Sequence, residues 1–453
     1  MPGTTKVRSS REAVVLDERK ASILEADGCA GPGIACEQAS AAGAVSQRAC
    51  VFCGARVVLN PITDAFHIIH GPIGCSSYTW DIRGSLTSGQ DLYRHSFSTD
   101  LSETDVIFGG EKKLARAIDQ TVEAHAPNVV FVYATCIAGV IGDDVGAVCK
   151  AAEERHGIRV IPVQAPGFSG HKAQGYRLAG DAIMKLIGTT PFPRDKARGI
   201  NILGDFNLAG EMWIVKNYLA GLGIDVITGI TGDSCCDELA CAPQAKLNVV
   251  QCAGSMTALA KRMERDLGIP YIKVSFYGIE DTVSSLMRIA EALGEPETVE
   301  RTRVFCEEQT RLLDPVVARY RPRLEGRRAA IYVGGGFKAI SLIRQFREFG
   351  MDAVMVGTQT GRPEDYEVIR SLVSPGCVVL DDANPSELEK FMLERGADIL
   401  VGGVKERPLA YKLGVAFCDH NHERKHPLAG FVGVRNFAEE INSSMNSPVW
   451  TYV

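Results

Sequence analysis

Between Cys50 and Cys75 the chain reads C-V-F-C-G-A-R-V-V-L-N-P-I-T-D-A-F-H-I-I-H-G-P-I-G-C, which puts three thiols and two histidines in one short segment. A fourth thiol, Cys136, follows in Y-A-T-C-I-A-G-V-I-G-D-D. Thiolates are soft anionic ligands, and several on rigid turns suit an iron–sulfur cluster or zinc. Pro72 and Gly74 fix a tight turn before Cys75 that can offer its thiolate and nearby amides to a bound group. Cys50, Cys75 and Cys136 are one ligand short of a closed four-cysteine site. The fourth could be Cys53 or come from another chain, and isolated unligated thiols remain the alternative. A second group pairs Cys252, in K-L-N-V-V-Q-C, with the tail F-C-D-H-N-H-E-R-K-H-P-L-A-G. Neutral imidazole binds iron well, although a His-rich loop is otherwise a solvated surface.

These residues need elements to hold them. N-V-V-F-V-Y-A-T-C (128–136) and R-V-I-P-V-Q (159–164) are predicted strands, and D-V-I-F-G-G (105–110) is read as another apolar strand ending in glycines. The segment between has Leu114, Ile118 and Val122 at every fourth position, the buried stripe of a helix. The cycle restarts after T-T-P-F-P-R-D-K (189–196), with strands at 199–207, 224–233 and 246–252. A long amphipathic segment from Glu297 to Tyr320 leads to R-A-A-I-Y-V-G-G-G (328–336) and a third set. Continuous apolar strands alternating with amphipathic helices indicate parallel sheets covered on both faces. The expectation is an α/β chain of three doubly wound domains, 46–195, 196–325 and 326–453, preceded by an arm, 1–45, that is extended or loosely helical. In such folds ligands collect at the carboxyl ends of strands, where Cys136, Cys252, Gly334–Gly336 and Cys418 fall.

The 453 residues are 45% hydrophobic, enough for several cores. A net charge of -6 gives no electrostatic reason to expect nucleic acid or a membrane surface. No apolar run approaches the roughly 20 residues that span a bilayer, and the N-terminus lacks a secretory apolar region. A cytoplasmic chain is expected, and there fourteen cysteines argue against a disulfide framework. Cys149, Cys306 and Cys377 sit among apolar or helical neighbours and are read as packing residues. Cys29 and Cys36 are read as unligated.

The stretch from Cys50 through S-S-Y-T-W-D-I-R-G resembles the α-type subunits of nitrogenase component 1. So do F-S-T-D-L-S-E-T-D-V-I-F-G-G-E-K-K-L, Y-A-T-C-I-A-G-V-I-G-D-D, K-L-N-V-V-Q-C-A-G-S-M and the ending N-S-P-V-W. The likeness runs in order from about residue 45 to the C-terminus and is greatest for the NifE-like branch, whose look methylthio-alkane reductase subunits share. It implies that Cys50, Cys75 and Cys136 are one side of an interface iron–sulfur cluster, P-cluster-like or [4Fe-4S]. A homologous β-type subunit then completes it in an α2β2 heterotetramer, and Cys53 is a bystander or an accessory thiol. It implies that Cys252 binds one end of a large carbide-centred iron–sulfur cofactor or its precursor, of unstated heterometal. His420 or Asn421 falls at the position binding the other end, with His422 and His426 nearby. Lys405 aligns with a lysine near the cofactor's organic acid, and Arg83 is placed to balance cluster charge. Gly334, Gly335 and Gly336 would let backbone amides approach the cluster.

One departure from the family pattern bears on activity. Where nitrogenase has Q-S-L-G-H-H above its cofactor, this chain has K-A-Q-G-Y-R, and the expected proton donor for dinitrogen reduction is gone. Two functions are then open. In one, the chain is the catalytic subunit of a reductase fed by an ATP-dependent iron protein, cleaving the C–S bond of methylthio-alkanes, with His171, Lys172 and Tyr176 delivering protons. In the other, it is a scaffold for iron–molybdenum cofactor biosynthesis. Ligands at both ends of the cofactor suit a resident group, which favours the reductase.

Overall fold

The computed structural model describes residues 15–26, 33–36, 49–80, 85–89, 91–188, 190–421 and 423–451. They form fourteen strands in three sheets. The strands are β1 (Ile23–Glu25), β2 (Ala65–His70), β3 (Ser96–Ser98), β4 (Val129–Ala134), β5 (Arg159–Gln164), β6 (Ile200–Leu203) and β7 (Val226–Ile230). Then come β8 (Leu247–Val250), β9 (Tyr271–Lys273), β10 (Arg328–Val333), β11 (Asp352–Thr358), β12 (Val378–Asp381), β13 (Ile399–Gly402) and β14 (Ala416–Asp419). The chain divides into two compact units, one of residues 49–311 with 422–433, the other of 1–48, 312–421 and 434–453.

The first unit holds two parallel sheets, ordered β3-β2-β4-β5 and β7-β6-β8-β9. Every residue of β4 is buried, because V-V-F-V-Y-A has helices to meet on both faces. One core joins the helices Val51–Leu59, Lys172–Ile187 and Ala253–Leu267 to these sheets. The first two approach backbone to backbone. A Cβ on Gly54 would stand 2.1 Å from the Lys172 carbonyl oxygen, and one on Gly175 would stand 2.0 Å from that of Val51. Only glycine fits there, and the approach brings Cys50 into a bridge with His171.

The run D-V-I-F, expected as a strand, is instead part of a helix, Glu103–Phe108. Ser102 caps it in a reciprocal box with Asp105, so a local polar pairing overrides the strand preference of V-I-F. Its apolar side chains stay outside: Ile107 is 73% exposed and Phe108 83%.

The second unit has one sheet, β1-β12-β11-β10-β13-β14. All its pairs are parallel except the edge, where Ile23 lies antiparallel to Leu380. Part of the N-terminal segment therefore completes a sheet, which a segment without periodicity did not announce. Arg19 fastens it, with Nε 2.9 Å from Glu387.

Cys149, Cys306 and Cys377 are buried, and burial pushes their thiols up to about 12, 11 and 12. The long amphipathic segment is the helix Pro296–Leu324. Among the described residues no helix is long and apolar enough to cross a membrane.

Candidate functional site

Strand order changes direction between β2 and β4, since β3 lies on the outer side of β2. The ends of these two strands place the thiols. Gly71 follows β2, and a Cβ there would stand 1.9 Å from the Thr135 hydroxyl, so the bare backbone lets the two ends close up. Thr135 precedes Cys136, the first residue of a short helix, Cys136–Ile141. Cys75 lies in the helix Ile73–Trp80, and Cys50 caps the helix Val51–Leu59. The structure thus brings Cys50, Cys75 and Cys136 together, each half-buried.

Three observations show that they face a common space. The Gly167 amide donates to Cys136 Sγ at 3.1 Å. A Cβ on Gly167 would lie 3.0 Å from Cys136 Sγ and 3.8 Å from Cys50 Sγ. The Cys75 thiol is raised by burial, lowered by the Thr135 hydroxyl, and raised again by Cys136 and Cys50. Burial is also the main cause raising Cys50. Like-charge repulsion of this kind is what a cationic group at the centre relieves. Among the described residues no three His, Cys, Asp or Glu side chains converge on a single metal ion. The Gly167 amide at Cys136 is the kind of donor a metal-bound thiolate takes. Cys53 is buried on the first turn beneath them, and Tyr78, above it, is raised by burial and then by Cys53 and Cys50.

A second crevice opens where strand order changes between β6 and β8. Cys252 caps the helix Ala253–Leu267 after β8. Gly204, after β6 with φ 89°, would place a Cβ 2.7 Å from that of Cys252. Behind it lies a buried charge cluster absent from the sequence-level reading. Arg424 Nη1 stands 2.9 Å from Glu211 Oε1 and 3.3 Å from the Tyr277 hydroxyl. Burial and then Glu211 push the Asp205 carboxyl up to about 6. Arg424 belongs to H-N-H-E-R-K-H, where the histidines drew notice. Yet its side chain is 4% exposed while His426 is on the surface. A lone arginine in a polar loop carries no local signal that it is an anchor. His422 and Arg83 lie outside the described residues.

The remaining residues belong to the other unit. Gly334 and Gly335 follow β10 with nothing within 4 Å of a built Cβ, whereas Gly336 packs on Asp365. Lys405 is exposed on the turn after β13, beside buried Glu406, whose carboxyl burial raises to about 7. His420 follows β14 fully buried, its amide donating to the Gly402 carbonyl at 2.9 Å. Its ring meets Phe437 edge-on at 6.0 Å, and Lys338 Nζ donates to its carbonyl at 3.0 Å. The Asn421 amide donates to Asp419 at 2.9 Å. In the first unit again, His171 is exposed at the start of the helix Lys172–Ile187, Lys172 is buried, and Tyr176 is half-buried against the core.

A family model for nitrogenase component 1 type oxidoreductases matches residues 50–446. The chain belongs to that family. It is 64% identical to the nitrogenase iron-molybdenum cofactor biosynthesis protein NifE of Clostridium pasteurianum, over 97% of each chain. To the NifE of Methanosarcina barkeri it is 50% identical, over 93% of each. Among solved structures, a nitrogenase Cp1 chain at pH 5 superposes with a TM-score of 0.90 at 29% identity, covering 96% of both. The chain thus sits in the NifE-like branch of the nitrogenase component 1 family, with that family's α/β fold. This overturns the expectation of a methylthio-alkane reductase. The relatives matching nearly end to end are named for cofactor biosynthesis. The argument from ligands at both ends of the cofactor fails because a scaffold also has to hold its cargo.

Proposed function

We propose that the chain is the α-type half of a scaffold on which an iron–sulfur precursor of the nitrogenase iron–molybdenum cofactor is matured and released. The near full-length 64% identity to a protein named for that biosynthesis carries the reading. Cys50, Cys75 and Cys136 hold a resident iron–sulfur cluster shared with a homologous β-type subunit, as three protein thiols on fixed turns suggest. Such a cluster, when bound, supplies one-electron transfer. The protein's part is to fix three sulfurs, aim the Gly167 amide at one of them and shield the site from water.

Cys252 is the cargo ligand of the first unit, and His420, with Asn421 and His422 as neighbours, is the candidate ligand on the chain's later segment. Gly334, Gly335 and Gly336 offer backbone amides to the cargo, and Lys405 and Arg83 balance its negative charge. Lys172, Tyr176 and His171 are the candidate proton carriers. The apolar side chains near the thiols support the shared interface: Ile73 is 57% exposed, Val140 72% and Phe168 65%. A surface of this kind, next to an incomplete ligand set, marks a partner contact.

The test is to isolate the chain anaerobically with its β-type partner. The complex is expected to be brown, and to restore activity when mixed with a nitrogenase lacking its cofactor. Release of ethylene or methane from methylthio compounds with ATP and reductant, without such transfer, overturns the reading.

A further inference from the structure

Arg56 is a buried cation with no carboxylate paired to it among the described residues. It sits in the middle of the helix Val51–Leu59 and is 5% exposed. Its Nη2 donates to the Ser96 hydroxyl, its guanidinium lies 5.9 Å over the Tyr133 ring, and Nε and Nη1 have no hydrogen-bond partner. Burial lowers its proton affinity, but a guanidinium keeps its charge in proteins. The groups packed on it are neutral. His67 accepts or donates to the Tyr133 hydroxyl at 2.9 Å and is held well below its ordinary value by burial, then by Arg56 and His95. Tyr133 is raised by burial, and His95 is lowered by burial.

A buried charge without a partner is costly, and native proteins pair such groups. Arg56 lines a cavity of about 210 Å³ together with Thr79, Ser85, Ser96 and Asp91. The Ser85 hydroxyl is also buried without a partner. Asp91 is turned to solvent, 62% exposed and 3.6 Å from Arg94, so it marks the mouth rather than neutralising the interior. The unspent groups are thus two guanidinium nitrogens and a serine hydroxyl, on two side chains that both border one small space. This is the complement of an anion carrying two or more oxygens.

We propose that this cavity is a binding site for a small oxyanion, a carboxylate or a phosphate-type group, with Arg56 as its charge partner and Ser85 as a second donor. None of the thiols is among the residues lining this cavity, and the proposal does not depend on the scaffold reading.

The experiment measures binding of citrate, malonate, phosphate and sulfate to the anaerobic complex by equilibrium dialysis, with chloride at matched ionic strength as control. Thermal melting follows each anion in parallel. At least one anion is expected to bind at one site per chain and to raise the melting temperature with concentration. Arg56→Met is expected to weaken binding at least tenfold and to make melting independent of the anion. Should Arg56→Met fold poorly, Ser85→Ala and Arg56→Lys serve instead, with binding weakened several-fold in each. Competition between citrate and phosphate decides which class fits. If no anion binds the wild type above chloride, or all variants bind as the wild type does, the site is overturned. Iron content and cluster transfer, read on the same samples, report on the scaffold separately.

Discussion

The thiols of the first unit and the strand ends of the second are built in opposite ways. Around Cys50, Cys75 and Cys136 the backbone is crowded: Gly71 meets Thr135, Gly167 meets two sulfurs, and Gly54 and Gly175 interlock two helices. At the ends of β10 and β13, Gly334 and Gly335 face open space and Lys405 reaches solvent. A crowded ligand set suits a group that stays. An open one with amides and an exposed cation suits a group that comes and goes, because little has to be broken for it to leave.

The strongest way to break this contrast is to remove a thiol. Cys75→Ser is expected to abolish the resident cluster's absorbance and most of its iron while circular dichroism stays native. Cys252→Ser is expected to spare that signal and reduce only transferable cargo. Equal losses in both variants would erase the distinction. Next in size is Arg424→Met, which leaves Glu211 and Asp205 buried without their cation. Stripping one member from a buried pair costs about 3–5 kcal/mol, to be read from urea midpoints, with partial recovery in the Glu211→Gln, Arg424→Met double variant.

Two glycines sharpen the comparison directly. Gly71→Ala forces a methyl into the Thr135 hydroxyl and should cost about 1–3 kcal/mol. Gly334→Ala meets nothing and should leave stability within about 0.5 kcal/mol, lowering cargo retention only. A separate effect is in pH. Burial raises the Glu406 carboxyl from 4.5 to about 7, so between those values the folded state holds a proton that the unfolded chain has lost. Stability therefore falls as pH rises through that window and levels off above it, by an amount on the order of 2–3 kcal/mol. Glu406→Gln is expected to flatten the slope of unfolding free energy against pH between 5 and 7.

Much of this was legible in the sequence because it is written locally. Buried parallel strands announce themselves as apolar runs, and a cysteine after such a run is a cysteine at a strand end, as Cys136 and Cys252 are. The misreadings share a cause. Val106, Ile107 and Phe108 read as a strand until Ser102 and Asp105 cap them as a helix, a choice made by two polar side chains rather than by the apolar ones. Arg424 and Arg56 look like surface charges because their burial is decided by Glu211, Tyr277, Tyr133 and Ser96, which come from distant stretches. The reductase reading failed for another reason. An enzyme and a scaffold both need side chains that grip a cofactor, so residues suited to binding one do not say whether it is kept.

The antiparallel strand Ile23–Glu25 sets an order on biosynthesis. It leaves the ribosome long before its partner Val378–Asp381. Until then the growing sheet has a bare rim able to recruit strangers, and the early strand must wait unpaired while two other sheets form around their own cores. Closure of that rim is thus a late checkpoint in maturation, and a chain truncated ahead of Val378 is left with a loose end and no sheet to receive it.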